Sequence, residues 1–248
     1  MIRVAAVGDV HLGRDSAGTL RPHVEHLPEL ADMLLIAGDL TTCGHPDEAR
    51  VVAGELAGLP VPVVAVLGNH DYHAGREDEV REALEDGGIR VLEGEAATFD
   101  VDGVRVAVAG AKGFGGGFLG ACASDFGEPE MKAFVRHTKE IADRFCAALS
   151  SADADVRVAL LHYSPVAETL AGEPLQIYPF LGSYLLGEAV DRAGADLVLH
   201  GHAHAGTERG ETPGGVPVRN VAQPLLRRAY ALLCLDAGRR EAGCEANA

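Results

Sequence analysis

The chain lacks the features that mark several large protein classes. Its five cysteines (Cys43, Cys122, Cys146, Cys234 and Cys244) are odd in number and form no Cys-x-x-Cys pair. A disulfide framework is therefore not expected, and a reducing, cytoplasmic setting is. No apolar stretch approaches the length of a membrane span, so no membrane partner is expected. A cleaved signal peptide would remove Asp9 and His11, and none is expected. There is no internal repeat and no linker, which predicts one domain over residues 1–248, with a frayed tail after about residue 238. Basic residues are also scarce. Lys and Arg number 21 against 37 Asp and Glu, a formal net charge of -16. That balance makes nucleic acid an unfavourable partner, because an extended phosphate footprint needs a basic track. A small anionic substrate stays open, since bound divalent cations reverse the local field.

What is present is a series of short apolar runs, several of which end in polar clusters. Runs at 2–7, 33–37, 61–67, 156–161 and 195–199 have the length and composition of buried strands. Between them, residues 46–59, 77–86, 128–150 and 181–193 carry helical spacing or helix-end signals, such as Pro46-Asp47-Glu48 at a start and Gly87-Gly88 at a stop. Asp102-Gly103 between two further runs predicts a hairpin. Late strands are expected at 216–222 and 230–236. The alternation predicts an α/β protein. In open α/β sheets, binding sites gather beyond the carboxyl ends of the strands.

The clusters are Gly8-Asp9-Val10-His11, Gly38-Asp39, Gly68-Asn69-His70-Asp71, Leu161-His162 and Gly201-His202-Ala203-His204. Each follows a strand-like run. Asp9 and His11 alternate, so an extended backbone would turn both to one side, and His202 and His204 repeat the arrangement. Asp39 is a lone carboxylate with two oxygens, suited to bridging two cations. Carboxylate, amide and imidazole donors without thiolate suit Mn, Fe, Zn or Co. The glycines before these residues fit tight turns close to metals. His200 shares the parity of His202 and His204 but is expected to pack behind them. Phe114, Phe118 and Tyr163 offer either an apolar substrate wall or core packing.

These five blocks, spanning Asp9 to His204, resemble the calcineurin-like metallophosphoesterase superfamily, whose Asp-x-His, Gly-Asp, Gly-Asn-His-Asp/Glu, His and Gly-His-x-His pattern is matched without substitution. The resemblance implies a four-layer α/β/β/α sandwich. It implies Asp9, His11, Asp39 and His204 on one metal and Asp39, Asn69, His162 and His202 on the other, with Asp39 bridging. The cofactor would be two divalent or mixed-valence transition-metal ions, Mn, Fe or Zn. A bridging hydroxide would attack phosphorus in line. His70 would protonate the leaving group, with Asp71 orienting its imidazole. The activity implied is hydrolysis of a small phosphate ester, with phosphodiesters slightly ahead of phosphomonoesters. The alternatives are a non-catalytic metal-binding scaffold on the same fold, or a nuclease. Oligomeric state is left open.

Overall fold

The computed structural model describes residues 1–236 and 239–242. Fourteen strands occur among them. They are β1 (Ile2–Val7), β2 (Met33–Ala37), β3 (Val63–Val66), β4 (Arg90–Val91), β5 (Glu95–Val101), β6 (Val104–Ala111), β7 (Gly117–Phe118), β8 (Ala121–Cys122), β9 (Val156–Leu161), β10 (Leu197–His200), β11 (Arg209–Glu211), β12 (Pro217–Asn220), β13 (Ala231–Asp236) and β14 (Arg239–Ala242). One six-stranded sheet runs β14-β13-β1-β2-β3-β4 and a second runs β11-β12-β10-β9-β6-β5. β7 and β8 form a separate small hairpin. β1, β2 and β3 are mutually parallel, as are β6, β9 and β10.

The layering follows from side-chain alternation. Along β1, Val4 and Ala6 turn into the seam between the two sheets, where they meet Val108, Val158, Leu160 and Leu199. Ala5 and Val7 turn the other way, onto a cluster with Val52 and Leu56 of the helix Pro46–Leu56 and Val80 and Leu84 of the helix Glu77–Asp86. On the far side of the second sheet, Ala109, Ala159 and Leu161 pack under Phe145 and Leu149 of the helix Pro129–Ser151 and Leu186 and Val190 of the helix Tyr184–Ala193. Strands buried on both faces carry continuous apolar runs. The result is the expected α/β/β/α sandwich, with one core shared by both sheets.

Local signals explain the element ends. Asp102 and Gly103 both take positive φ, 51° and 80°, joining β5 to β6 in a two-residue turn. Glu77–Asp86 stops where Gly87 and Gly88 follow. The helix at 46–59 is shorter than expected, ending at Leu56. Its start is capped by His45, whose Nδ1 accepts from the Asp47 amide while Glu48 accepts from the His45 amide. In the tail, β14 pairs antiparallel with β13, and the rest of the segment expected to fray, 243–248, lies outside the described residues. Cys43, Cys122 and Cys146 are free, whereas Cys234 in β13 is disulfide-bonded, which corrects the expectation of unbonded thiols throughout. Among the described residues, no helix is long and apolar enough to cross a membrane.

Candidate metal centre

Five strands from the two sheets deliver their carboxyl ends to one place. The loop after β1 carries Asp9 and His11, that after β2 Asp39, that after β3 Asn69, His70 and Asp71, that after β9 His162, and that after β10 His202 and His204. Three overlapping groups result, with ligand atoms inside each group within 4.8 Å of one another: Asp9, His11 and His204; His11, Asp39 and His70; and Asp39, His162 and His202. Asp39 joins the last two. Its Oδ2 lies 3.7 Å from His11 Nε2 and its Oδ1 3.4 Å from His162 Nε2. Asn69 enters beside His162, with Oδ1 at 2.9 Å from Nε2.

The geometry that gathers them differs from an extended strand. Asp9, His11, Asp39 and His202 have φ of 58°, 44°, 51° and 70°. Non-glycine residues rarely adopt this left-handed region, and its clustering here marks backbone held in place by surrounding contacts. Consequently His202 and His204 do not share a side as strand parity predicts. His204 joins Asp9, and His202 joins Asp39. Two glycines make room. A Cβ at Gly38 would stand 2.5 Å from His162 Nδ1, and one at Gly68 would collide with the Asp39 carboxylate.

The donor set fits a cation. The buried His162 gives its Nδ1 proton to the Ala37 carbonyl at 2.9 Å. In the neutral ring this leaves Nε2 as a lone pair facing the oxygens of Asn69 and Asp39. Three acceptors converging at such distances call for a cation or a second proton among them. His202 follows the same pattern. Its Nε2 donates to the Phe180 carbonyl at 3.2 Å, which leaves Nδ1 free to ligate. A histidine that ligates through one nitrogen commonly gives its other proton to a carbonyl. Burial pushes His202 down to about 3, keeping its ring neutral.

Asp9 is buried and would be pushed up by desolvation. The His204 hydrogen bond, electrostatic attraction to the His162 and His204 imidazoles and the His202 amide outweigh that, and hold it below the usual carboxylate range. His204 Nε2 donates to Asp9 Oδ1 at 2.9 Å, and this bond raises His204 above the ordinary histidine value. His11 is lowered, chiefly by burial. The His70 amide donates to Asp39 Oδ1 at 2.8 Å, and its ring packs edge-on against His11 with centroids 4.5 Å apart.

Asp71 does not orient His70. It is wholly buried and accepts from the amides of Leu40, Thr41 and Gly68 and from the Thr41 hydroxyl, at 2.6–3.2 Å. Burial still pushes its carboxyl up to about 6. His70 Nδ1 donates instead to the Thr42 carbonyl at 2.8 Å. A side chain that must satisfy three loop amides has no oxygen to spare for an imidazole.

His200 is buried behind the cluster, with Nε2 2.8 Å from Thr169 Oγ1, as its packing role anticipates. Phe118 and Tyr163 are buried, favouring packing over a mobile wall, although Tyr163 also borders the site with its ring 4.4 Å from that of His202. Burial and the Asp39 charge push the Tyr163 phenol up to about 12, so its hydroxyl keeps its proton. Sequence reasoning missed Lys112. Its Nζ sits 4.9, 5.0 and 5.2 Å over the rings of Tyr72, Phe114 and Tyr163. The available signal was position, since Lys112 directly follows β6 as the ligands follow their own strands.

Residues 2–206 match the model of the calcineurin-like phosphoesterase family, and the chain belongs to that family. It is similar to the uncharacterized protein YpbG of Bacillus subtilis (strain 168), at 23% identity over 208 residues, covering 82% of this chain and 61% of the relative. The chain thus spans less than two thirds of that relative's length. Among solved structures, the phosphopantetheinyl hydrolase PptH of Mycobacterium tuberculosis aligns with a TM-score of 0.66 and 16% identity over 94% of this chain and 96% of that one. A putative 5'-nucleotidase of Staphylococcus aureus aligns with a TM-score of 0.54 and 18% identity over 97% of this chain and 52% of that one. At these identities the structural likeness bears on the fold.

Proposed function

We propose that the protein hydrolyses small phosphoric esters, phosphodiesters ahead of monoesters, with two transition-metal ions as cofactor. Asp9, His11, Asp39 and His204 would hold one ion and Asp39, Asn69, His162 and His202 the other. The observation that carries this reading is the position of Asp39, whose two oxygens face histidines of separate groups at 3.7 and 3.4 Å. When bound, two divalent cations would supply Lewis acidity and an activated water.

The chain's own residues do the rest. The carbonyls of Ala37 and Phe180 fix the tautomers of His162 and His202. The Thr42 carbonyl fixes Nδ1–H of His70, so Nε2 is the nitrogen left to hand a proton to the leaving oxygen. Asp71 acts as a positioning residue through the loop amides. One domain performs this function, because the cluster draws ligands from both sheets. Mn, Fe and Zn all suit the donor set. The net charge of -16 supports a small substrate rather than nucleic acid. We place the protein in the cytoplasm. Three free cysteines support that placement, and the Cys234 disulfide weighs against it.

The test is a substrate panel with metal-reconstituted protein, spanning bis(4-nitrophenyl) phosphate, 4-nitrophenyl phosphate, cyclic nucleotides and a phosphopantetheinyl ester. Turnover that a chelator abolishes and Mn restores is expected. Full metal loading with no turnover of any ester would move the protein to the scaffold reading.

A further inference from the structure

His202 is presented on strained backbone. The Ala203 amide donates to the Gly201 carbonyl at 2.8 Å. That bond closes a three-residue turn over His202, whose φ is 70°. A turn of this kind at positive φ is rare and strained, and it persists only where the surroundings hold it. The Gly201 carbonyl takes a second bond, from Nδ1 of His200 at 2.7 Å. The amide of the same glycine donates to the His162 carbonyl at 3.2 Å. A Cβ at Gly201 would stand 2.3 Å from Asp9 Oδ2. Gly201 therefore lies against three candidate ligands, and His200 holds its carbonyl.

The tautomer of His200 follows from its partners. A carbonyl only accepts, so Nδ1 carries the proton. In the neutral ring Nε2 is then an acceptor, and the Thr169 hydroxyl donates to it at 2.8 Å. Ser164 Oγ lies farther from Nε2, at 3.5 Å, and gives its proton to the Val166 carbonyl at 2.8 Å. Ser164, Thr169 and His200 are all fully buried. Thr169 sits in the 3-10 helix Glu168–Leu170, between β9 and the helix Tyr184–Ala193. The same connection holds the ring of His202, through the Phe180 carbonyl at 3.2 Å. It thus grips this ligand twice, by its ring and, through His200, by its backbone. The far side of the loop after β10 is anchored separately. There the Ala205 amide donates to Glu173 Oε1 at 2.7 Å and the Thr207 amide to the Thr169 carbonyl at 3.0 Å.

We propose that His200 is a positioning residue: set by the Thr169 hydroxyl, it holds the turn that presents His202 and thereby fixes the metal affinity of the site built from Asp39, Asn69, His162 and His202. The assignment rests on the two-metal reading above. His200 touches neither an ion nor substrate, and acts only through the Gly201 carbonyl. The effect is unequal between the two sites. The His202 amide donates to Asp9 Oδ2 at 2.9 Å, so the turn reaches the other site as well. Asp9 keeps the His204 ring at 2.9 Å as an independent donor, so that site depends less on the turn.

The experiment titrates the apoprotein with Mn by calorimetry, in wild type, His200→Leu, His200→Asn and Thr169→Val. Asn69→Ala and His11→Ala mark which of the two affinities belongs to which site. Leu fills the buried position without a donor, whereas the amide nitrogen of Asn can take the place of Nδ1. Val keeps the shape of Thr and lacks its hydroxyl. His200→Leu should weaken the Asn69-marked site about tenfold, the low end of what the outer partners of a ligand contribute, and the His11-marked site much less. His200→Asn should recover most of the loss. Thr169→Val should weaken the same site, and adding it to His200→Leu should cost nothing further, because the ring it acts through is gone. Equal losses at both sites, equal losses in His200→Leu and His200→Asn, or a lower thermal midpoint of the apoprotein with unchanged Mn affinity would overturn the assignment and leave His200 a packing residue. Should His200→Leu fail to fold, Thr169→Val decides: a loss confined to the Asn69-marked site supports the assignment, and unchanged affinities overturn it. Wild-type protein that binds no Mn at either site brings down the two-metal reading, and this assignment with it.

Discussion

The imidazole of His70 is held by the backbone of Thr42, with Nδ1 donating to the carbonyl at 2.8 Å, and the neighbouring Asp71 carboxylate takes no part. Asp71 instead ties the loop after β2 to the loop after β3 by accepting from Leu40, Thr41 and Gly68. The orienting and the structural roles thus fall to different residues. A backbone carbonyl orients the ring without adding a full negative charge beside Asp39.

That division predicts how Asp71→Ala behaves. Removing the carboxylate leaves several buried donors unpaired, each costing about 1–3 kcal/mol. The variant should lose roughly 2–4 kcal/mol of stability, seen as a lower thermal midpoint, and should bind metal less tightly because the Asp39 loop loosens. His70→Ala should leave the midpoint nearly unchanged. An Asp71→Ala protein of wild-type stability that has lost only activity would return Asp71 to an orienting role.

Metal stoichiometry tests the position of Asp39. Its two oxygens face His11 and His162, so Asp39→Ala should impair both sites, whereas His11→Ala should weaken mainly one. Elemental analysis after reconstitution and desalting measures this directly. Two equivalents retained in Asp39→Ala would refute the bridging role.

Much of this arrangement is legible in the amino-acid sequence. Strands β1, β2, β3, β9 and β10 are buried on both faces, so their runs are mostly apolar, interrupted only by Arg3, Arg157 and His200, and a glycine closely follows all of them but β9. Glu77–Asp86 agrees residue for residue with the helix expected there, because Gly87-Gly88 ends it. The seven candidate ligands converge because each sits at a strand end, a position that sequence does report. Other details are hidden for equally physical reasons. His70 is oriented by a carbonyl, and every residue has one, so Thr42 leaves no trace in the pattern. Two of the residues that Asp71 holds, Leu40 and Thr41, lie 31 and 30 residues away. Alternation puts His202 and His204 on one side, but the left-handed backbone at His202 turns them apart. The short strands β11 and β14 have too few residues to show a period.

Glu55 supplies a pH-dependent element of stability. Its buried carboxylate accepts from the amides of Gly18, Leu20 and Arg21 and pins the chain beyond the first ligand loop. Burial opposes the charge, but these three bonds win and hold the group below its usual value. A depressed carboxylate stabilises the fold above its unfolded value of about 4.3 and loses that contribution as pH falls through its folded value. Glu55→Gln should therefore cost about 1–3 kcal/mol at pH 7. The gap to wild type should narrow as unfolding is measured from pH 5 down toward pH 3. A gap independent of pH would show that the carboxylate's charge is not what matters.

The cysteines give a chemical check on compartment. Alkylation of the protein unfolded without reductant, followed by peptide mapping, should label Cys43, Cys122 and Cys146 and spare Cys234. Labelling of Cys234 in protein isolated under thiol-blocking conditions would show that its disulfide does not form in the cell of origin and would strengthen the cytoplasmic placement.

The last prediction separates His70 from the ligands around it. If Nε2 hands a proton to the leaving oxygen, its importance must grow with the basicity of that oxygen. Nitrophenolate departs readily without a proton, whereas an alkoxide does not. General acid catalysis contributes about 100- to 10,000-fold. His70→Ala should therefore keep both metals, lose rate within that range on alkyl esters, and lose far less on nitrophenyl esters. Asp39→Ala should damage both substrate types alike, because the cations that activate water are no longer assembled. Thr42 itself cannot be deleted from the comparison by mutation, since its contribution is backbone. The leaving-group series at fixed metal saturation is thus the decisive measurement. Equal fractional losses for His70→Ala across the series, with chemistry rate-limiting, would leave the residue a phosphate-positioning group and return the proton to solvent.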